Sequence, residues 1–136
     1  MAVAPAAAWV IVAGGGRDLA WPLDQVRSAL LLCSDSRPVR QLFHGAARGA
    51  DQAIAIAAQQ LGWPVAALPA DWQRHGPAAG PIRNRQLLDR AQRLVQSHST
   101  PGQPLAVLVI AFPGGPGTAS LVQLARRRSL ALHLLP

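Results

Sequence analysis

Lysine, glutamate and tyrosine are absent from this sequence: all 13 basic residues are arginine and all six acidic residues are aspartate. That removes a P-loop lysine, a Schiff-base lysine, a glutamate general base and a tyrosine nucleophile from the available chemistry. The single cysteine, Cys33, has no partner for a disulfide and no companions for a cysteine metal site. No grouping of histidines and aspartates has metal-ligand spacing, so no metal and no cofactor are expected. Aromatic residues make up 4% of the chain, which leaves Ala, Leu, Val and Ile to build the core. No apolar run approaches the ~20 residues of a membrane helix; Leu105 to Phe112 is closed off by Pro104 and Pro113. The first 16 residues, ending in Gly14-Gly15-Gly16, lack the positive charge that precedes a secretory apolar region. The expectation is a cytoplasmic protein without membrane association.

What is present points to one domain, residues 1–136, long enough to bury a real core. The net charge of +7 raises nucleic-acid binding as one reading. Against it, Arg126-Arg127-Arg128 closes a predicted helix, where cations complement the dipole, and the other arginines are dispersed along the chain. Nucleic acid is therefore not the favoured partner.

Short apolar runs alternate with helical periodicity. Strands are predicted over Ala8–Ala13, Val39–Phe43, Val65–Leu68, Leu105–Phe112 and Leu130–Leu134. Helices are predicted over Trp21–Leu32, with Pro22 in its first turn, over Ala50–Leu61, ended by Gly62, and over Ile82–Val95 and Thr118–Arg128. A polar loop from Pro69 to Pro81 and a Ser/Pro/Gly linker from Gln96 to Pro104 join them. Strand alternating with helix predicts an α/β domain, a Rossmann-like doubly wound parallel sheet flanked by helices.

In such sheets ligands sit beyond the carboxyl ends of the strands, and the informative loops gather there. Pro113-Gly114-Gly115-Pro116-Gly117-Thr118 follows a buried strand and opens a helix, the arrangement of a phosphate cradle. Glycines admit an anion close to the backbone, and first-turn N–H groups and the macrodipole favour its charge. The hydroxyls of Thr118 and Ser120 add two donors, although Thr118 also suits a simple helix cap. The other strand ends carry Gly14-Gly15-Gly16-Arg17-Asp18, then His44-Gly45 through Arg48 to Asp51, then Asp71-Trp72 through Arg74 to Gly76. Glycines with arginines and aspartates suit an anionic ligand bearing hydroxyls, such as a nucleotide.

The set GGRD, HGAARGAD, PADWQRHGPAAGPIRN and FPGGPGT, in this order, resembles the SLOG superfamily of Rossmann-like domains, specifically the YspA group related to YpsA. The likeness runs from about Val10 to Pro136. It implies a nucleotide or nucleotide-derived ligand, a signalling role, and dimerisation through helices. Among similar proteins, LONELY GUY phosphoribohydrolases release bases from nucleoside monophosphates, and DprA handles single-stranded DNA. The resemblance to those hydrolases is incomplete, because their PGGxGT loop is followed by an acidic residue that works with an arginine of the preceding helix. Here Ala119, Ser120 and Leu121 follow Thr118, while Arg83 remains a match for the arginine.

Ligand contact is accordingly expected from Gly15, Gly16, Arg17, Asp18, Gly45, Arg48, Asp51, Trp72, Arg83, Asn84, Pro113, Gly114, Gly115, Gly117 and Thr118. Arg83 and Asn84 are expected in a first helical turn, where an arginine is badly placed unless an anion is near. Arg83, Asp71 and His75 are the candidates for catalysis. The leading expectation is a nucleotide-binding module. A nucleoside-monophosphate phosphoribohydrolase with a relocated aspartate (Asp18, Asp51 or Asp71) and a DprA-like single-strand binder are the alternatives. A homodimer is expected with the leading reading.

Overall fold

Strand and helix alternate in the order β1 (Ala8–Gly14), α1 (Leu23–Ser34), β2 (Val39–His44), α2 (Ala50–Gln60), β3 (Val65–Ala67), α3 (Trp72–His75), α4 (Ala79–His98), β4 (Leu105–Ala111), α5 (Pro116–Arg127) and β5 (Ala131–Leu134). They belong to a computed structural model that describes residues 6–136; the start of the apolar N-terminal stretch lies outside the described residues. The five strands form one sheet in the order β3-β2-β1-β4-β5, every neighbouring pair parallel. This is the Rossmann-like α/β single domain that the alternation predicts.

A parallel sheet covered on both faces needs strands that are apolar on both faces, and β1 and β4 are. In β1, Ile11 and Ala13 join the core under α1 and α2. Val10 and Val12 point the other way, into the core under α4 and α5. β1 and β4 pair in register from Ala8↔Leu105 to Gly14↔Ala111, so their carboxyl ends finish side by side. The chain leaves β1 for one face of the sheet and β4 for the other, and a crevice opens between the two departing loops.

The differences from expectation sit at helix starts. Pro22 is not in the first turn of α1 but is its N-cap, with φ −57° and ψ 147°. Most of the predicted Pro69–Pro81 loop is helical: α3, a 3-10 turn at Gly76–Ala78, and then α4, which begins at Ala79 rather than Ile82. Pro81 hides this start, yet proline is tolerated in a first turn, where its missing N–H would have had no partner. Arg83 and Asn84 therefore lie in the second turn of α4. At its far end α4 runs on to His98, so the linker is shorter than Gln96–Pro104. No helix of the described residues is long and apolar enough to cross a membrane.

Candidate functional site

A cavity of about 950 Å³ opens at the carboxyl ends of β1, β2 and β4, walled by the loops after those strands and by the starts of α4 and α5. That is the upper end of the ~300–1,000 Å³ typical of small-molecule sites, at the position where doubly wound sheets bind ligands.

The loop after β4 is held rigidly on its inner side. The Phe112 N–H donates to Gly14 O at 2.8 Å, and the Gly16 N–H donates to Pro113 O at 2.8 Å. Gly114 lies so close to the first glycine loop that a Cβ there would meet Thr118 Oγ1 and, at 2.6 Å, the Gly16 nitrogen. Gly115 caps α5, Pro116 fills its first position, and Thr118 lies inside the first turn rather than serving as the cap. The N–H groups of Gly117 and Thr118 are among those an α-helix leaves without intrahelical partners. A Cβ at Gly115 or Gly117 would meet nothing within 4 Å. Packing accounts for glycine at 114 but not at 115 or 117, which line the cavity.

Arg83, from α4, lines the same cavity as this loop. Its Nη1 donates to Gly45 O and its Nε to Asn84 Oδ1 at 3.1 Å. Gly45 leaves the room for that reach, since a Cβ there would collide with the guanidinium. Asn84 is buried and donates from Nδ2 to Gly117 O at 3.1 Å, tying α4 to the first turn of α5. It thus positions the glycine loop. Arg83 is half-buried, and no carboxylate pairs with it among the described residues. Burial pulls its pKa down, against the Asp51 charge that holds it up, with Arg17 adding repulsion. Guanidinium stays charged regardless, so a partly desolvated cation stands at the cavity wall.

The loop between β2 and α2 is built around two buried titratable groups. Asp51, 4% exposed, accepts from the Ala47 N–H at 3.1 Å through Oδ2. Burial raises its pKa, while the Ala47 N–H, His44 and Arg83 oppose the rise. His44 Nδ1 accepts from the Ala46 N–H at 3.0 Å, so its ring is neutral there. Burial lowers its pKa below the ordinary 6.5; Asp51 partly offsets this and Arg83 adds to it. A lowered histidine pKa means that the unfolded chain binds the proton more readily. His44 therefore costs no stability above pH 6.5, and stability falls as the pH drops below that value. The thermal midpoint is expected to decrease from pH 7 to pH 5, and His44→Asn should flatten that decrease; an unchanged slope in the variant would show that other groups govern it.

Aromatic residues frame the mouth. The Arg17 guanidinium lies 5.8 Å from the centroid of Trp72, which is 49% exposed. Trp21 meets Phe112 edge-on at 5.4 Å and lines the cavity from the other side. Trp21 escapes sequence reasoning because it stands before Pro22 and passes for a helix start. Its place directly after the β1 glycine loop is the signal that could have found it. Leu19, Pro77 and Gly80 line the wall in the same unannounced way.

Most expected contacts converge: Gly15, Gly16, Arg17, Asp18, Gly45, Asp51, Trp72, Arg83, Asn84, Pro113, Gly114, Gly115, Gly117 and Thr118 all line the one cavity, with Ser120. Three do not. Arg48 is exposed and outside the lining; Gly49 beside it packs against the Gly16 and Arg17 backbone, and the arginine side chain is left in water. Asp71 is an exposed N-cap, accepting from the Arg74 N–H at 3.1 Å through Oδ1. His75 ends the same short helix, away from the cavity wall.

Fold and site together define a Rossmann-like domain with a strand-end glycine loop and an unpaired arginine facing one cavity. Residues 9–75, from β1 through α3, match the profile of the YspA, cpYpsA-related SLOG family. No curated protein matches the chain.

Proposed function

We propose that this protein binds a nucleotide or nucleotide-derived ligand, with a phosphate on the first turn of α5 and Arg83 as its cationic partner. The observation that carries the proposal is the pair Gly115 and Gly117. Both leave open space where a side chain would stand, on a helix N-terminus, in a cavity that a half-buried arginine, unpaired among the described residues, also lines. The likeness of residues 9–75 to the SLOG family supports a nucleotide-related ligand in general. The rest of the ligand would lie toward Gly15, Arg17 and Trp72, whose ring offers a face for a base. A sensor role in the cytoplasm, exercised as a homodimer, fits this proposal.

A screen of thermal stability against mononucleotides, dinucleotides and cyclic nucleotides tests it. At 100 times the dissociation constant a true ligand stabilises by about 2.7 kcal/mol. Arg83→Ala should weaken that ligand about 10- to 100-fold, the equivalent of one charge-assisted hydrogen bond. No stabilisation by any nucleotide would overturn the proposal.

Asp51 favours a second reading, cleavage of the N-glycosidic bond of a nucleoside monophosphate. A Cβ placed on Gly14 would lie 3.3 Å from Leu121 Cδ2 and 4.0 Å from Asp51 Oδ1. Asp51 thus brings a carboxyl, its pKa raised by burial, to the cavity wall that Leu121 also lines, and Leu121 stands in the stretch where the hydrolases that this glycine loop resembles carry their acid. Release of free base on incubation with a bound nucleoside monophosphate, abolished in Asp51→Asn, would establish it.

A further inference from the structure

The arginines that look dispersed along the sequence are gathered by the fold. The layer formed by α1 and α2 carries Asp24, Asp51 and a single arginine, Arg27. The opposite layer carries Arg83, Arg85, Arg90 and Arg93 on α4 and Arg126 and Arg127 on α5, followed by Arg128; Asp89 is the only carboxylate on either helix. Arg85, Asp89, Gln92 and Arg93 recur at helical spacing, so they share one stripe of α4. Arg128 binds that stripe directly: its Nη1 donates to Asp89 Oδ1 and to Gln92 Oε1, both at 2.8 Å. The contact neutralises Asp89 and brings the end of α5 alongside the middle of α4. Arg85, Arg90, Arg93 and Arg127 are all exposed, and none has a carboxylate within ion-pair reach among the described residues.

We infer that this α4–α5 layer is a binding face for the phosphate backbone of double-stranded nucleic acid, separate from the cavity and independent of the ligand proposed for it. Charge of one sign spread over an exposed helical stripe, with its one carboxylate already paired, rewards a polyanion by counterion release. Neither α4 nor α5 carries an aromatic residue, so the stacking platforms that hold single strands are missing. Backbone contact without base readout remains. Arg85 and Arg93 are about 12 Å apart along the helix axis, close to the ~12 Å width of the major groove between phosphate rows.

The test is fluorescence anisotropy with a labelled 20-base-pair duplex and a 20-nucleotide single strand, across a salt series. With Arg85, Arg90, Arg93 and Arg127 engaged, the slope of log K against log salt for the duplex should be about −3.6. Arg85→Gln/Arg93→Gln/Arg127→Gln should reduce it to about −0.9 while leaving the thermal midpoint unchanged, because the three side chains are exposed. Gly115→Asp should bind the duplex as the unaltered protein does. No duplex binding at low salt, an unchanged slope in the triple variant, tighter binding of the single strand, or preference for vesicles of anionic phospholipid over the duplex would each overturn the inference.

Discussion

Gly49→Ala is expected to destabilise the protein by about 3 kcal/mol or more, lowering its thermal midpoint by roughly 10 °C. Two effects add at this position. The backbone has φ 76° and ψ −118°, a region that L-residues avoid. A Cβ there would also collide with the Arg17 carbonyl and come within 2.7 Å of Gly16 O. The obstacle is backbone, and it is fixed, because the Ala50 N–H donates to that same Gly16 oxygen at 3.0 Å. Gly62 supplies the control: it shares the positive φ of 76° but has open space around it, so Gly62→Ala should cost only about 1–2 kcal/mol. Calorimetry on the two variants separates strain from collision, and equal losses would mean that the β1 and β2 loops are not packed as described. Since those two loops form one wall of the cavity, Gly49→Ala should disturb ligand binding as well.

Gly115→Asp is expected to leave the fold intact and to weaken the nucleotide by at least about 100-fold. The residue has φ −97°, accessible to any side chain, and open space around its Cα, so nothing in the packing resists the substitution. What changes is the electrostatics of the cradle. A carboxylate at the N-cap would occupy the ground proposed for the phosphate and accept the same first-turn N–H groups. Loss of two charge-assisted hydrogen bonds corresponds to about 3–6 kcal/mol, which is 100-fold or more in affinity. Titration calorimetry with the nucleotide that stabilises the unaltered protein reads this directly. Retained affinity in a folded variant would move the phosphate elsewhere. Gly114→Ala separates the two glycine roles, because there the Cβ meets backbone and stability itself should fall.

The strand-end loops were legible because each follows an apolar run and ends in residues that punctuate structure. Glycine after β1 and β4, with helical spacing behind it, was enough to place the crevice and most of its lining. The start of α4 was not legible, since Pro81 reads as a break from sequence although a first turn accepts it. A helix read as starting at Ile82 puts Arg83 in its first turn, whereas from the second turn of α4 its guanidinium reaches Gly45 O and Asn84 Oδ1. Arg48 misled in the opposite way. Its flanking glycines suggest a binding loop, but Gly45 makes room for the Arg83 guanidinium and Gly49 for the backbone of Gly16 and Arg17, while Arg48 itself stays outside the cavity. Trp21 and the gathering of arginines on α4 and α5 depend on which elements lie side by side. Spacing along one helix cannot show that Arg128 of one element neutralises Asp89 of another.

A phosphate bound in the crevice between the ends of β1 and β4 would change the surroundings of the backbone N–H groups that hold it. Amide chemical-shift mapping by NMR, with a nucleoside monophosphate titrated into labelled protein, tests that binding most directly. The amides of Gly115, Gly117 and Thr118 and the Arg83 Nε–H are expected to move first and most, with Gly15 to Arg17 following. Shifts confined to the exposed faces of α4 and α5, or none at saturating nucleotide, would contradict it.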